Sequence, residues 1–446
     1  MAVKPHHGDA AGGAEKFRKI SHLCAWLIGF GCVAGIIVPA GINWDFGNFY
    51  DAGRRILADR AHELYEPRSP IDGQPPQATT GFWGTPLTAY LYVPFALFPP
   101  PWALVLFKGQ TAVFSVAALI LLFRHNRRFL DQSAVATSVF AAAVGIVSVA
   151  YQPLWTAFRT GGQTTPFVLF LLVLALMAIT QGRPFASACC FGFAVMVKPA
   201  FVTALIFFAV LAGTPFLTSL VVVFGTTGVM SIALFGWNVH AQFLRLMLEG
   251  LGRSVPWFYN SGLYVVFENL RSLSAPGSWP RTHEWILDGL QLFLKCLVVF
   301  TFGMIILRSR GRPWPPFVRQ HFNFLMAISF FVLIGHIVYE AYLAVLLIVL
   351  VFFLATFRFF NREAKLMIGA ICALSFWQNI IWIDLLRRFL RFESVPELVG
   401  IGLFKSAPVI LLLVLLLRHH GAIFDIYDHL IGGRPEAASV VPPERL

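Results

Sequence analysis

Long apolar runs separated by short basic connectors constrain this chain more than any other feature. Apolar segments recur near 20–40, 102–123, 133–151, 165–181, 185–197, 200–212, 217–237, 285–307, 319–336, 339–357, 366–384 and 399–417. A helix of ~20 apolar residues crosses the ~30 Å hydrocarbon core of a bilayer. Soluble domains carry about 25% charged residues; here 13% are charged and 57% are hydrophobic. The pattern predicts an all-α polytopic membrane protein with about twelve transmembrane helices. The two segments flanking Lys198-Pro199 are too short to cross upright, and short or broken helices of this kind line cavities. Pro86 to Phe98, bounded by prolines, reads as an interfacial or re-entrant piece. The first run is too long for a cleavable signal peptide and has no small-residue cleavage site.

The net charge of +12 does not point to nucleic acid, because the cations cluster in the connectors. Lys16, Arg18 and Lys19 precede the first run. Arg124, Arg127 and Arg128 follow the second, Arg308, Arg310 and Arg312 the eighth, Arg358, Arg362 and Lys365 the tenth, and Arg418 the last. If the runs alternate in direction, these positions share one side, which the positive-inside rule makes the cytoplasm. Arg387, Arg388 and Arg391 are the exception and fall outside. The expected layout is a cytoplasmic tail at 1–19, a single membrane domain at 20–417 with outer loops 41–85 and 238–284, and a cytoplasmic tail at 418–446. The six cysteines lie in apolar segments without metal-ligand spacing, so they read as small core residues.

Polar residues placed on this topology gather on the outer face. Asp45, Tyr50 and Asp51 open the first outer loop; Arg159, Gly161, Gly162 and Gln163 sit in the connector before the fourth run. Lys198 lies at the outer junction of the two short helices, and His336 and Glu340 bracket a late outer turn. The set suits glycosyl transfer at the membrane boundary. An acceptor hydroxyl needs a carboxylate to take its proton as it attacks an anomeric carbon. A departing lipid phosphate needs cations or hydrogen-bond donors. Each residue also has a plainer reading. Asp45 fits an interfacial carboxylate capping a short helix, and Asp51 a structural partner of Arg54 or Arg55. Lys198 fits a snorkelling lysine. His336 and Glu340 would satisfy each other on a continuous helix. Trp257, Tyr259, Tyr264, Trp279 and Trp285 suit interface anchoring or sugar stacking. No phosphate-binding Gly-rich loop with Lys-Ser/Thr, no Gly-x-Ser-x-Gly elbow and no His-Glu-x-x-His occurs.

At these residues the sequence resembles family 87 of the glycosyltransferases. The signature Asp45-Phe46, Phe49-Tyr50-x-Ala52-Gly53 and Leu64-Tyr65 looks like the family's acidic first-loop motif. Pro86, Pro94 and Pro99-Pro100, then Gly162-Gln163, Lys198-Pro199, Asn260-Ser261 and His336 with Tyr339-Glu340 continue it. The resemblance implies a C-type glycosyltransferase-like fold and an inverting hexosyltransferase. The donor would be a polyprenyl-phosphate sugar, usually mannose, used as substrate with no cofactor. The acceptor would be a glycolipid or a polysaccharide. Asp45 would be the base, assisted by His336, with Lys198 contacting phosphate. Gln163, Arg159, Glu340, Asp51, Tyr50 and Asn260 would bind substrate, without a metal. The implied location is the inner (plasma) membrane, with the active site facing the periplasm or exterior and membrane lipids as surroundings. The chain departs from the family's usual pattern at Trp83-Gly84-Thr85-Pro86, at Thr164 in place of Asn, and at Glu340 in place of Asp. The competing class is a transporter or flippase of lipid-linked glycans, which would hold its ionisable groups near the bilayer midplane.

Overall fold

The computed structural model describes residues 8–37, 44–66, 82–130, 133–159, 162–251, 260–273, 281–335, 338–376 and 395–432. Helices account for nearly all of them. In order they are α1 (Gly8–Ile37), α2 (Trp44–Leu57), α3 (Val93–Ala96), α4 (Pro100–Arg127), α5 (Ala134–Ala150) and α6 (Gln152–Arg159). Then follow α7 (Thr165–Thr180), α8 (Pro184–Val197), α9 (Val202–Ala212), α10 (Thr214–Leu251) and α11 (Val265–Leu273). The last are α12 (Arg281–Arg310), α13 (Pro316–Ile334), α14 (Leu347–Ala355), α15 (Arg362–Phe376) and α16 (Val395–Gly432). Short 3-10 helices include Pro86–Tyr92, Pro199–Phe201 and Glu340–Leu346.

Among the described residues, 6 helices are long and apolar enough to cross a membrane: Gly13–Ile37, Pro100–Arg127, Thr214–Glu249, Glu284–Arg310, Pro316–Ile334 and Gly402–Ile431. The remaining apolar runs form shorter helices: Ala134–Ala150, Thr165–Thr180, Pro184–Val197, Pro199–Ala212 and Glu340–Ala355. Six of the twelve expected runs thus meet that length and composition among the described residues, and five form the shorter helices. The last part of the run 366–384 lies outside the described residues.

The shortness has local causes. Pro166 and Pro184 stand at the starts of α7 and α8, where their missing N–H costs nothing and the ring presets the helical φ. Pro199 disfavours helical geometry for the residue before it, so α8 stops at Val197 and Lys198 takes φ −140°, ψ 87°. Long helices present lipid-sized apolar faces, with Trp26 in α1 and Phe300 in α12 79% and 69% exposed. The short ones are interior. Leu347 to Phe352 of α14 are fully buried, as expected for a helix apolar on every side.

The basic connectors converge at one end of the bundle. There the His125 ring of α4 stacks on His321 of α13, whose Nδ1 lies 2.7 Å from the Tyr427 hydroxyl of α16. Arg312 and Trp314 both bond to Asp428, and Arg418 to Glu363. Helix α1 starts at Gly8, and α16 continues past a kink at His419 to Gly432. Ile423, Phe424, Ile426 and Tyr427 of that extension are buried against the core.

At the other end, α2 seats on the 3-10 helix Pro86–Tyr92 and on α3 and α4. Phe46, Phe49, Tyr92 and Phe107 form one aromatic cluster. Gly53 allows this seat, since a Cβ there would lie 2.6 Å from the Tyr92 carbonyl oxygen. The loops 41–85 and 238–284 are partly helical where described, and α10 bends at Gly236, which adopts φ 74°.

Candidate active site

Four stretches distant in sequence meet around Gln163. Asp45 lies in the first turn of α2, where a carboxylate complements the helix dipole. Gln163 and Thr164 lead into α7, Lys198 ends α8, and Tyr342 lies in the 3-10 helix Glu340–Leu346. The Gln163 amide nitrogen donates to Asp45 Oδ2, and the Lys198 ammonium donates to Gln163 Oε1 at 2.6 Å and to Thr165 Oγ1 at 2.8 Å. The amide can face only one way. Lysine is donor-only and a carboxylate acceptor-only, so Oε1 must face Lys198 and the NH2 group must face Asp45. The Lys198 Nζ also stands 4.3 Å from the Tyr342 ring centroid, within cation–π range. Its three donor directions are thus engaged.

Burial sets the electrostatics. It holds the Asp45 carboxyl above the usual carboxylate range, against the Lys198 charge and the Gln163 hydrogen bond, which lower it. Burial likewise pushes the Lys198 ammonium down to about 7, against the Asp45 charge, which raises it. Asp45 remains partly exposed. The site therefore offers a reachable carboxylate of raised basicity, oriented by an amide that a buried cation anchors.

Gly162 makes the approach possible. It adopts φ 153°, and a Cβ there would lie 2.4 Å from Phe46 Cβ and 2.6 Å from Phe46 Cα. No side chain fits between the connector and α2, so Gln163 comes directly against Asp45. The cluster also lies below the start of α4: Gln163 and Thr164 line one cleft with Gln110 of α4, about 15 Å along that helix from Pro100 at 1.5 Å per residue.

A second polar node holds the first in place. In a 3-10 helix, residues three apart share a face. Tyr339 and Tyr342 are such a pair, 5.1 Å apart at their ring centroids, and the Asp45 charge acts on both phenols. On the other side, Glu340 accepts a hydrogen bond from Thr156 of α6 at 2.8 Å, and the Leu343 carbonyl accepts one from Tyr151 at 2.6 Å.

Of the residues the sequence singles out, Asp45, Gln163 and Lys198 are brought together. Glu340 sits apart from them, buried on α6. Asp51 forms an ion pair with Arg55 at 2.8 Å within α2, the structural alternative weighed above. Tyr50 is buried and its hydroxyl donates to the Phe98 carbonyl at 2.9 Å. Asn260 is 0% exposed, and its Oδ1 accepts from Gly262 N at 2.9 Å and Val338 N at 3.1 Å. Together with the Ser261 N to Val338 O bond of 2.7 Å, this fastens the strand-like segment before α11 to the segment carrying Tyr339. His336 and Gly161 lie outside the described residues, as does the Arg159 side chain. Thr165 and Tyr342 belong to the cluster and were not singled out; the spacing of Tyr342 three residues after Tyr339 is the signal that marks it. No group of three or more His, Cys, Asp or Glu suited to a metal occurs among the described residues.

A family model, glycosyltransferase family 87, matches residues 82–334, more than half of the chain. The chain belongs to glycosyltransferase family 87. No curated protein matches it. As a member of family 87 it is a membrane glycosyltransferase built from helices. The matched region holds Gly162, Gln163, Thr165, Lys198 and Asn260. In this family 87 member Asp45 and Tyr342, which complete the cluster, come from outside that region.

Proposed function

We propose that the protein transfers a hexose, mannose in the leading case, from a polyprenyl-phosphate donor to a glycolipid or polysaccharide acceptor, with inversion. One observation carries the reading: a partly exposed carboxylate, Asp45, is aimed by Gln163, which Lys198 anchors. The acceptor hydroxyl oxygen attacks the anomeric carbon and its proton passes to Asp45. The bond from that carbon to the phosphate oxygen breaks, and the electron pair leaves with polyprenyl phosphate. Attack opposite the leaving group inverts the anomeric centre.

The leaving phosphate gathers negative charge as it departs. The Lys198 ammonium, from the end of α8, bonds Thr165 at the start of α7, where the helix dipole is also positive, so the same region suits the phosphate. In this scheme Lys198 exchanges one of its present contacts for a phosphate oxygen. In the same scheme His336 would assist the base and Arg159 would bind substrate, the roles the family resemblance implies. Concentration of basic connectors at the far end of the bundle supports placing that end in the cytoplasm. The site then faces the periplasm or exterior of a plasma membrane, within a single membrane domain.

The test uses purified protein in lipid bilayers with polyprenyl-phosphate mannose and a membrane lipid extract. Wild type is expected to form a glycosylated lipid, and Asp45→Asn, which keeps the shape but removes the base, is expected to form none above background. Equal product from both would remove Asp45 from the mechanism.

A further inference from the structure

A cleft opens beside Gln163 between α3, α4 and α7, walled by Tyr92, Phe95, Phe107, Phe114 and Phe167. Gln110 and Thr164 also line it. Both carry a buried side-chain oxygen, Gln110 Oε1 and Thr164 Oγ1, with no hydrogen-bond partner among the described residues, and Thr164 is 5% exposed. Leaving such a group unpaired costs about 1–3 kcal/mol, and buried polar atoms in native proteins are nearly always paired. In a cleft next to a reactive carboxylate, a ligand is the natural partner.

The chemistry of the two oxygens selects that ligand. An amide carbonyl accepts only, whereas a threonine hydroxyl both donates and accepts. A phosphate oxygen without a proton cannot satisfy Gln110 Oε1, and an isoprenoid chain can satisfy neither atom. A hydroxyl group can donate to Gln110 and accept from Thr164. The surrounding aromatic walls suit a short carbon arm bearing that hydroxyl. We propose that this cleft receives the hydroxymethyl arm of the transferred hexose, with Gln110 and Thr164 binding its hydroxyl and so selecting hexoses over sugars that lack it. The proposal rests on the sugar-transfer reading above and adds which part of the sugar is recognised, and by what.

The experiment compares transfer from polyprenyl-phosphate mannose and from its 6-deoxy analogue, in wild type, Gln110→Leu and Thr164→Val. A site built around a hydroxyl rejects the analogue lacking it strongly. Wild type is expected to favour mannose by roughly 10-fold or more in kcat/KM, and each variant to bring the ratio towards one. Because the readout is a ratio within one preparation, partial loss of folded protein in a variant does not change it. Equal rates from both donors in wild type, or a wild-type ratio kept in both variants, would overturn the cleft assignment while leaving sugar transfer standing. Absence of transfer from both donors would overturn the sugar-transfer reading itself, and the assignment with it.

Discussion

Lys198 acts on Asp45 through the side-chain amide of Gln163, which accepts from the ammonium and donates to the carboxylate. An intervening amide keeps the base oriented and leaves it outside a contact ion pair, which would lower its basicity further. Gln163→Leu removes both contacts and frees Asp45 to rotate. Transfer is expected to fall about 10²-fold, the usual cost of a misplaced reacting group, and the melting point to drop, because the buried Lys198 ammonium loses an acceptor. Gln163→Glu has a different outcome. It sets a second carboxylate beside Asp45, so one of the two must hold a proton, and the acidic limb of the rate profile moves to higher pH. Steady-state kinetics on both variants check the pair of outcomes.

The pH dependence follows from the two shifted groups. In the proposed mechanism Asp45 acts deprotonated, so kcat/KM is expected to rise as pH climbs through its carboxyl, which burial holds above the usual range. Lys198 acts protonated in that scheme, so the rate is expected to fall as pH passes about 7. The expected profile is a bell for the free enzyme. Lys198→Arg carries a cation that does not lose its proton in this range, so the alkaline limb disappears even where the maximal rate drops. A wild-type profile without an alkaline fall would remove Lys198 from this role.

Gly162→Ala tests the close approach of the connector to α2. The added methyl meets Phe46 at 2.4 Å, and φ 153° is one that side-chain-bearing residues rarely adopt. Overpacking of this kind costs about 1–3 kcal/mol. The variant is expected to melt earlier and to lose most of its transfer activity, as Gln163 moves away from Asp45. Ala at Gly109, where a Cβ would meet nothing within 4 Å, is the matched control and is expected to match wild type in both measurements.

Asn260 separates a structural role from a substrate-binding one. Its Oδ1 holds two buried backbone N–H groups. Asn260→Ala leaves both without an acceptor, at about 1–3 kcal/mol each, and is expected to lower thermal stability. Asn260→Asp keeps an acceptor oxygen in place and is expected to recover much of that loss. The KM for donor stays near wild type in whatever folds; a large rise in KM with unchanged melting would make Asn260 a direct contact instead.

Much of this arrangement is legible in the sequence, and its failures share a cause. The apolar runs mark where helices occur. Asp45, Gln163 and Lys198 stand out because each is polar at the edge of an apolar run. Tyr342 escaped because it sits inside such a run, where a single polar residue breaks no pattern. Run length also misleads. Residues 339–357 look like one span, yet they form a 3-10 helix followed by α14. Tyr342 faces Lys198 and Glu340 faces Thr156. Asp51 pairs with Arg55, one of the two partners its position suggests, whereas the backbone around Val338 that Asn260 holds becomes visible only in three dimensions.

Gln163 and Thr164 lie beside Gln110, about 15 Å along α4 from Pro100, and for the proposed acceptor that depth would set a rule of access. A glycan arriving from beyond that end would have to reach inward as a slender projection, the shape of a chain terminus. Depth alone would then favour growth at chain ends over branching along their length, a form of regiochemical control that needs no specific contact with the acceptor.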